Sequence, residues 1–305
     1  MSPLDAASFP SRPIVTIVPW PKRGIVDVIT RAVTTDVSRK WGVPIDVVNK
    51  VGADGAVGTD AVATSAPDGY TWLIGTLTTL TAPYVVKDIY ADPLRHFSGV
   101  AMLAASPLVA VVPTALPVDS LKEFVSWGKT QGKLHYLNPG KGSASYLNAE
   151  LFAKREHLDL HAVDYNGQPI GIPDLVLGHL QFGLIAPQLA KVLVDERRLR
   201  PLAVAFPKRV PQFPAVPTFA EAGFPEIDVV ASYYVLVPKG TPGGVTRRIS
   251  RAVNGALADA AVRERIEATG SAVLGSKTPH EVDAYLASQN DRWAQFFKAR
   301  QIVPE

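Results

Sequence analysis

Short apolar, β-branched segments alternate with helically periodic ones, and this alternation restricts the fold more than any other feature of the chain. Ile14–Val18 reads as a strand, and Val26, Ile29, Val33, Val37 and Trp41 recur behind it at helical spacing. A second strand is predicted at Ile45–Asn49, a glycine-punctuated loop entering a small helix at 52–58, and a third strand at 71–75. The unit then repeats. Residues 108–112 are strand-like, Ser120-Leu-Lys-Glu123 has capping-box spacing and opens a helix towards Gln131, and 134–137 is extended again. Residues 143–155 and 169–177 are helical in pattern, while 160–165 and 180–185 are extended. Strands alternating with helices imply mainly parallel sheets covered by helices.

The texture changes at 207–225, where five prolines fall within nineteen residues. Proline removes an amide donor and fixes φ, so this stretch is a connector holding only a brief capped turn. Residues 229–237 return as an apolar strand. Thr241 and Pro242 then supply a cap and a first-turn proline for a helix through Leu257, and Thr278-Pro-His-Glu281 caps a final helix. This last third cannot build a sheet of its own, so it must rejoin the first lobe. The expected lobes are 1–105 plus 229–305, and 106–228, with crossings near 104–108 and 227–230. Two crossings make a hinge, and a hinge makes a cleft.

Composition closes off several classes. Of 305 residues, 47% are apolar and 19% charged, which supports packed cores and argues against disorder. The most apolar run, 100–112, contains Pro107 and is too short to span a bilayer, so the protein is not expected to be membrane-embedded. A formal charge of +3 without a dense Lys/Arg block excludes a nucleic-acid groove. The nearest run, Glu196-Arg197-Arg198-Leu199-Arg200, starts with an acid and reads as a solvated helix end. With no cysteine there is no disulfide scaffold, thiolate metal site or cysteine nucleophile. The first ten residues lack a basic and apolar leader, which fits either a cytoplasmic chain or one whose signal peptide has been removed.

Catalytic machinery is not recognisable. His157 and His161 alternate as on an extended segment and lack an HExxH frame, so they read as a solvent-facing pair, and no metal or cofactor is expected. Gly140-Lys-Gly142-Ser-Ala-Ser145 lacks the third glycine of a dinucleotide fingerprint; the 52–58 loop lacks the end of a P-loop; no Gly-x-Ser-x-Gly elbow exists. Small-residue loops do recur between strand and helix, at 19–27, 51–59 and 138–145. Each is an efficient turn, and each also sets helix-terminal amides where an anion could meet them.

In order along the chain stand Ile14-Val-Thr-Ile-Val-Pro-Trp20 with Asp27; Val47-Val-Asn49 with Gly52-Ala53 and Gly55; Ala66-Pro-Asp-Gly-Tyr-Thr71; Gly142-Ser143 with Glu150-Leu-Phe152; Tyr165-Asn-Gly167 with Asp174-Leu and Gly178; and Pro217-Thr-Phe-Ala-Glu-Ala-Gly223. Together they resemble the Bug family, the periplasmic solute receptors of tripartite tricarboxylate transporters. The resemblance implies an α/β, type II-like periplasmic-binding-protein fold, with a cleft between two lobes that closes on a small carboxylate. It further implies a monomeric, non-enzymatic receptor in the periplasm that serves a membrane permease. A sensor domain as partner is the alternative, and a two-lobe enzyme a more distant one.

In the family one carboxylate is held by loop amides, small hydroxyls and waters. Carried over, those roles fall on Pro21, Lys22, Arg23, Gly24 and Asp27, and on Gly140, Ser143 and Ser145. Two roles fit Asp27, helix cap and ligand contact. This chain departs from the family's glycine-rich first loop, reading Pro19-Trp20-Pro21-Lys22-Arg23-Gly24. Lys22 and Arg23 place two cations beside the expected anion site, either facing it or facing solvent. Trp20 either covers the ligand body or packs under the loop. Thr76, Thr78, Thr79 and Tyr84 are candidates for another wall, Tyr165, Asn166 and Gln168 for the approach from the second lobe, and Tyr233 for the returning crossover. A dicarboxylate, aliphatic or aromatic, is the expected ligand.

Overall fold

The computed structural model describes residues 8–165, 167–302 and 304. In chain order the elements are β1 (Ile14–Val18), α1 (Ile25–Trp41), β2 (Ile45–Asn49), α2 (Ala56–Ala63), β3 (Thr71–Thr76), α3 (Leu77–Thr81), α4 (Pro93–His96), β4 (Phe97–Ser106) and β5 (Leu108–Pro113). There follow α5 (Leu121–Gln131), β6 (Leu134–Asn138), α6 (Ala144–Glu156), β7 (Leu160–Asp164), α7 (Gln168–Val176), β8 (Phe182–Ile185), α8 (Pro187–Asp195) and β9 (Leu199–Ala205). The chain ends with β10 (Ala231–Pro238), α9 (Gly243–Leu257), α10 (Ala260–Glu267), β11 (Ala272–Val273) and α11 (Pro279–Ala299).

The described residues divide into two compact units, one within Met1–Ala105 and Ser232–Glu305, the other within Ser106–Ala231. The first holds a sheet of order β11-β4-β10-β3-β1-β2, in which β1 pairs in parallel with β2 and β3 while β10 runs antiparallel to β3. The second holds the order β7-β6-β8-β5-β9, with β6 parallel to β7 and β8, and β5 antiparallel to β8 and β9. Each sheet is therefore mixed. The parallel pairs are those the strand and helix alternation predicts; the antiparallel pairs are made by β5 with β8 and β9, by β10 with β3 and by β11 with β4.

Local sequence explains the elements. Helix α1 buries Ile29, Ala32, Val33 and Val37 on one stripe, and Gly42, at φ 67°, ends it by donating to Ser38 O. Strands β4 and β5 are almost wholly buried, as expected of strands covered on both faces. Pro107 separates them. Trp72, Tyr234 and Trp293 fill the first core, and Phe124, Phe152 and Phe182 stack in the second. Thr278 and Glu281 form the reciprocal cap on α11.

Two local expectations are corrected. Pro242, not Thr241, occupies the cap position of α9, because the Thr241 hydroxyl turns back to donate to Pro238 O. The run 196–200 is not a solvated helix end throughout: Leu199 and Arg200 open β9, and Arg200 Nη1 donates to the carbonyls of Leu116 and Val118. Buried Leu199 supplies the drive, and Arg200 extends sideways to finish two turn carbonyls.

Candidate functional site

In the first unit the C-terminal ends of β1, β2 and β3 are drawn together. Lys50 N donates to Val18 O, and Asn49 Nδ2 to Trp20 O. A Cβ on Gly58 would lie 2.8 Å from Lys50 O and 3.1 Å from Pro19 Cα, so only glycine permits this approach of the second loop to the first. Gly55, at φ 92°, packs against Pro19 and the Trp20 ring. Thr78 and Thr79, after β3, share a crevice with Asp54, Gly55 and Thr59. Within this unit the three loops thus form one continuous surface.

Asp27 organises the first loop. It is 2% exposed, and its carboxylate accepts from Arg31 Nε at 3.0 Å to each oxygen, from Asn49 Nδ2 at 3.0 Å and from Arg23 N at 2.9 Å. Burial alone would raise its pKa; the hydrogen bonds from Arg31, the Arg23 amide and Asn49, with the Arg31 charge, outweigh burial and hold it below the ordinary aspartate value. Arg31 also donates to Val47 O and Asn49 Oδ1, which ties α1 to β2. The sequence reading missed Arg31 and Asn49, although the i,i+4 spacing of Asp27 and Arg31 was a usable signal.

The clamp holds the turn in an unusual shape. Arg23 adopts φ 69°, Pro21 O accepts from Gly24 N, and Gly24 precedes α1 without a side-chain cap. The first-turn amides of Ile25, Val26 and Asp27 donate to nothing among the described residues. Lys22 and Arg23 are exposed and form no ion pair among those residues. Trp20 is half-buried, and its Nε1 is buried without a hydrogen-bond partner among them.

The remaining candidates of this unit separate. Thr76 and Thr79 form a capping box on α3, Thr76 Oγ1 lies 2.7 Å from Thr78 Oγ1, and Tyr233 stands opposite Thr76 on β10. Tyr84 instead stacks on Phe297 at 5.3 Å and donates to Asn290 Oδ1, so its ring is committed to α11.

The second unit repeats the strand, loop and helix arrangement. Asn138 Oδ1 accepts from Gly140 N, Gly140 O accepts from Ser143 N, and the Ser143 hydroxyl caps α6 by accepting from Tyr146 N at 3.2 Å. The amides of Ala144 and Ser145 have no acceptor among the described residues. Ser145 is buried; its hydroxyl donates to Leu184 O at 2.8 Å and accepts from Gln168 Nε2 at 3.2 Å, while Gln168 Oε1 accepts from Ala186 N. Gln168 therefore joins α6, α7 and the end of β8. Tyr165 N donates to Asn138 O, and its hydroxyl donates to Asp174 at 2.6 Å. Burial, then the hydrogen bond and charge of Asp174, push the Tyr165 phenol up to about 12. Asn166 lies outside the described residues.

His157 and His161 both face solvent, as expected of them. His157 closes α6 in the left-handed region, whereas His161 lies on β7 beside Asp159. No helix among the described residues is long and apolar enough to cross a membrane.

Comparison with known proteins agrees with this layout. BugT of Bordetella pertussis is 33% identical over 96% of this chain and 90% of its own length. Among solved structures, a protein of R. palustris with adipate superposes with a TM-score of 0.82 at 27% identity, covering 97% of this chain and all of the other. MatC of Rhodopseudomonas palustris with bound malate gives 0.78 at 28% identity, covering 95% of this chain and all of its own. The model of the tripartite tricarboxylate transporter family receptor matches residues 29–302, and the chain belongs to that family.

Proposed function

We propose that this protein is an extracytoplasmic receptor that captures a small carboxylate, with a dicarboxylate favoured, and delivers it to a membrane permease of the tripartite tricarboxylate type. The carrying observation is the pair of amide sets that find no acceptor among the described residues, Ile25 to Asp27 on α1 and Ala144 with Ser145 on α6, each behind a strand-to-helix loop fixed by its own polar clamp. Amides of this kind, reinforced by the positive end of a helix, suit a carboxylate oxygen and need no charged side chain. Solved relatives hold adipate and malate, which supports the ligand class.

In this reading the loop amides bind and orient the anion, and Thr76, Thr78 and the Trp20 ring border its body. Asp27 acts as the clamp of the first loop. Lys22 and Arg23 add long-range attraction for the anion.

Native mass spectrometry of freshly purified protein, followed by a thermal-shift panel of mono- and dicarboxylic acids, tests the reading. A retained acid returned chemically unchanged, with a raised melting midpoint on re-addition, is expected. A panel without any shift would defeat it.

A further inference from the structure

We propose that His135 and His161 form a binding site for a borderline divalent transition ion, of which Zn²⁺ is the simplest probe. The two residues stand directly opposite one another on parallel neighbours β6 and β7. Their side chains therefore leave the same face of the sheet, and their ring centroids are 6.4 Å apart with planes inclined at 46°. Zinc–imidazole bonds of about 2.0–2.1 Å would set two rings sharing one ion about 5–6 Å apart, a change within reach of side-chain rotation.

The surroundings fix the sheet face from which the rings project. Two residues on, Leu137 and Val163 enter the core cluster that also holds Leu175 and Ile172 of α7, which fixes the face to which the histidines belong. The backbone of His135 is pinned from its other side, its amide donating to Gln181 Oε1 at 2.9 Å and its carbonyl accepting from Gln181 N at 2.8 Å.

Asp159 supplies the second argument. Its Oδ1 lies 2.6 Å from His161 Nε2. A carboxylate only accepts, so a neutral His161 carries its proton on Nε2 and keeps the Nδ1 lone pair free for a metal. Carboxylate support behind a ligating imidazole is the usual outer arrangement of a histidine metal site, and here it exists before any ion binds. Both imidazoles remain partly or well exposed. Among the described residues no three acidic or histidine side chains converge, so water would complete the coordination shell. Imidazole ligands select Zn²⁺, Ni²⁺ or Cu²⁺ over Mg²⁺ and Ca²⁺. The site sits at the N-terminal ends of β6 and β7, away from the Gly140 to Ser145 loop that follows β6, and it does not depend on the carboxylate reading.

The experiment is a Zn²⁺ titration of tag-free protein by calorimetry. One ion per chain is expected. His135→Ala and His161→Ala should each weaken binding by at least the 10–100-fold typical of outer-shell changes, Asp159→Asn should fall within about that range, and His157→Ala should bind as the parent does. Melting curves in chelator, with His135→Gln and His161→Gln as second variants, separate loss of ligand from loss of fold. Absence of Zn²⁺ uptake, or uptake unaltered by changes at both His135 and His161, overturns the proposal.

Discussion

Arg31 Nε lies 3.0 Å from both carboxylate oxygens of Asp27, one helical turn away on α1, and this contact links the first loop to the second strand. Through Asn49 the same carboxylate reaches β2, and through the Arg23 amide it holds a left-handed residue in place. Asp27→Asn should cost about 1–3 kcal/mol, less than a fully buried pair because Arg31 keeps part of its solvent contact. Urea unfolding measures this cost. Carboxylate affinity should fall with it, and an Asp27→Asn protein with parental stability and affinity would remove the clamp from the account.

The same group makes stability depend on acid. Asp27 and Asp36 have folded-state pKa values below their ordinary ones: at Asp36, as at Asp27, burial opposes the shift and the cationic donors, here Lys40 and Arg39, prevail. A lowered folded pKa means that the unfolded chain binds more protons in the acid range. The contribution is therefore complete above the ordinary aspartate pKa, about 3.9, and is lost as pH falls through the lower folded values. Melting midpoints measured from pH 6 down to pH 3 should decline more steeply in the parent than in Asp27→Asn. Parallel curves would contradict this.

Gly58→Ala offers a test of the close approach between loops. The new methyl would meet Lys50 O and Pro19 Cα, both backbone atoms that cannot rotate away. Overpacking of this kind costs about 1–3 kcal/mol. Because the displaced strand end carries the 19–27 loop, thermal denaturation should show the loss and calorimetry with a bound acid should show weaker binding. Alanine accepted at this position with no change in either would mean that the loops are not mutually constrained.

Much of this was legible in the sequence where one signal acted alone. The apolar run of Ile14–Val18, the Ser120 cap and the Thr278 with Glu281 cap each have local causes, and each element starts where those residues place it. Thr241 misled because a threonine before a proline fits a cap equally well as a turn, and its hydroxyl found Pro238 O first. Arg200 misled because its charge belongs to solvent by composition but to two turn carbonyls by geometry. At the site, Asp27 was evident while its partners were not: Asn49 is brought to it by strand pairing, which no local pattern encodes. Likewise the histidine neighbours are 135 and 161, opposed across paired strands, a juxtaposition that the four-residue spacing of 157 and 161 does not reveal.

In the second unit, Ser145→Ala removes the hydroxyl that bridges Leu184 O and Gln168 Nε2. Gln168 keeps a contact of its own to Leu184 O at 3.4 Å, so the loss should stay near the value of a buried hydrogen bond, about 1–2 kcal/mol. Gln168→Ala, which also strips Ala186 N of its acceptor, should cost more. Since the residues share one network, the double variant should lose less than the sum of the singles. Strict additivity in chemical denaturation would show that the two act separately.

Lys22 and Arg23 separate electrostatic recruitment from structure. Both side chains are exposed and unpaired among the described residues, so Lys22→Ala and Arg23→Ala should leave stability within about 0.5 kcal/mol of the parent. Only the Arg23 amide serves the fold, through Asp27, and alanine keeps that amide. Alanine at position 23 must still adopt φ 69°, so Arg23→Gly is the control that relieves the backbone while removing the charge. If the two cations attract the carboxylate from a distance, each neutralisation lowers affinity at low ionic strength, and the difference fades as the Debye length shrinks from about 30 Å at 0.01 M salt to about 8 Å at 0.15 M. Calorimetry at those two salt concentrations measures it. Equal affinities of parent and double variant at low salt would assign both side chains to solvent and leave recognition to the loop amides alone.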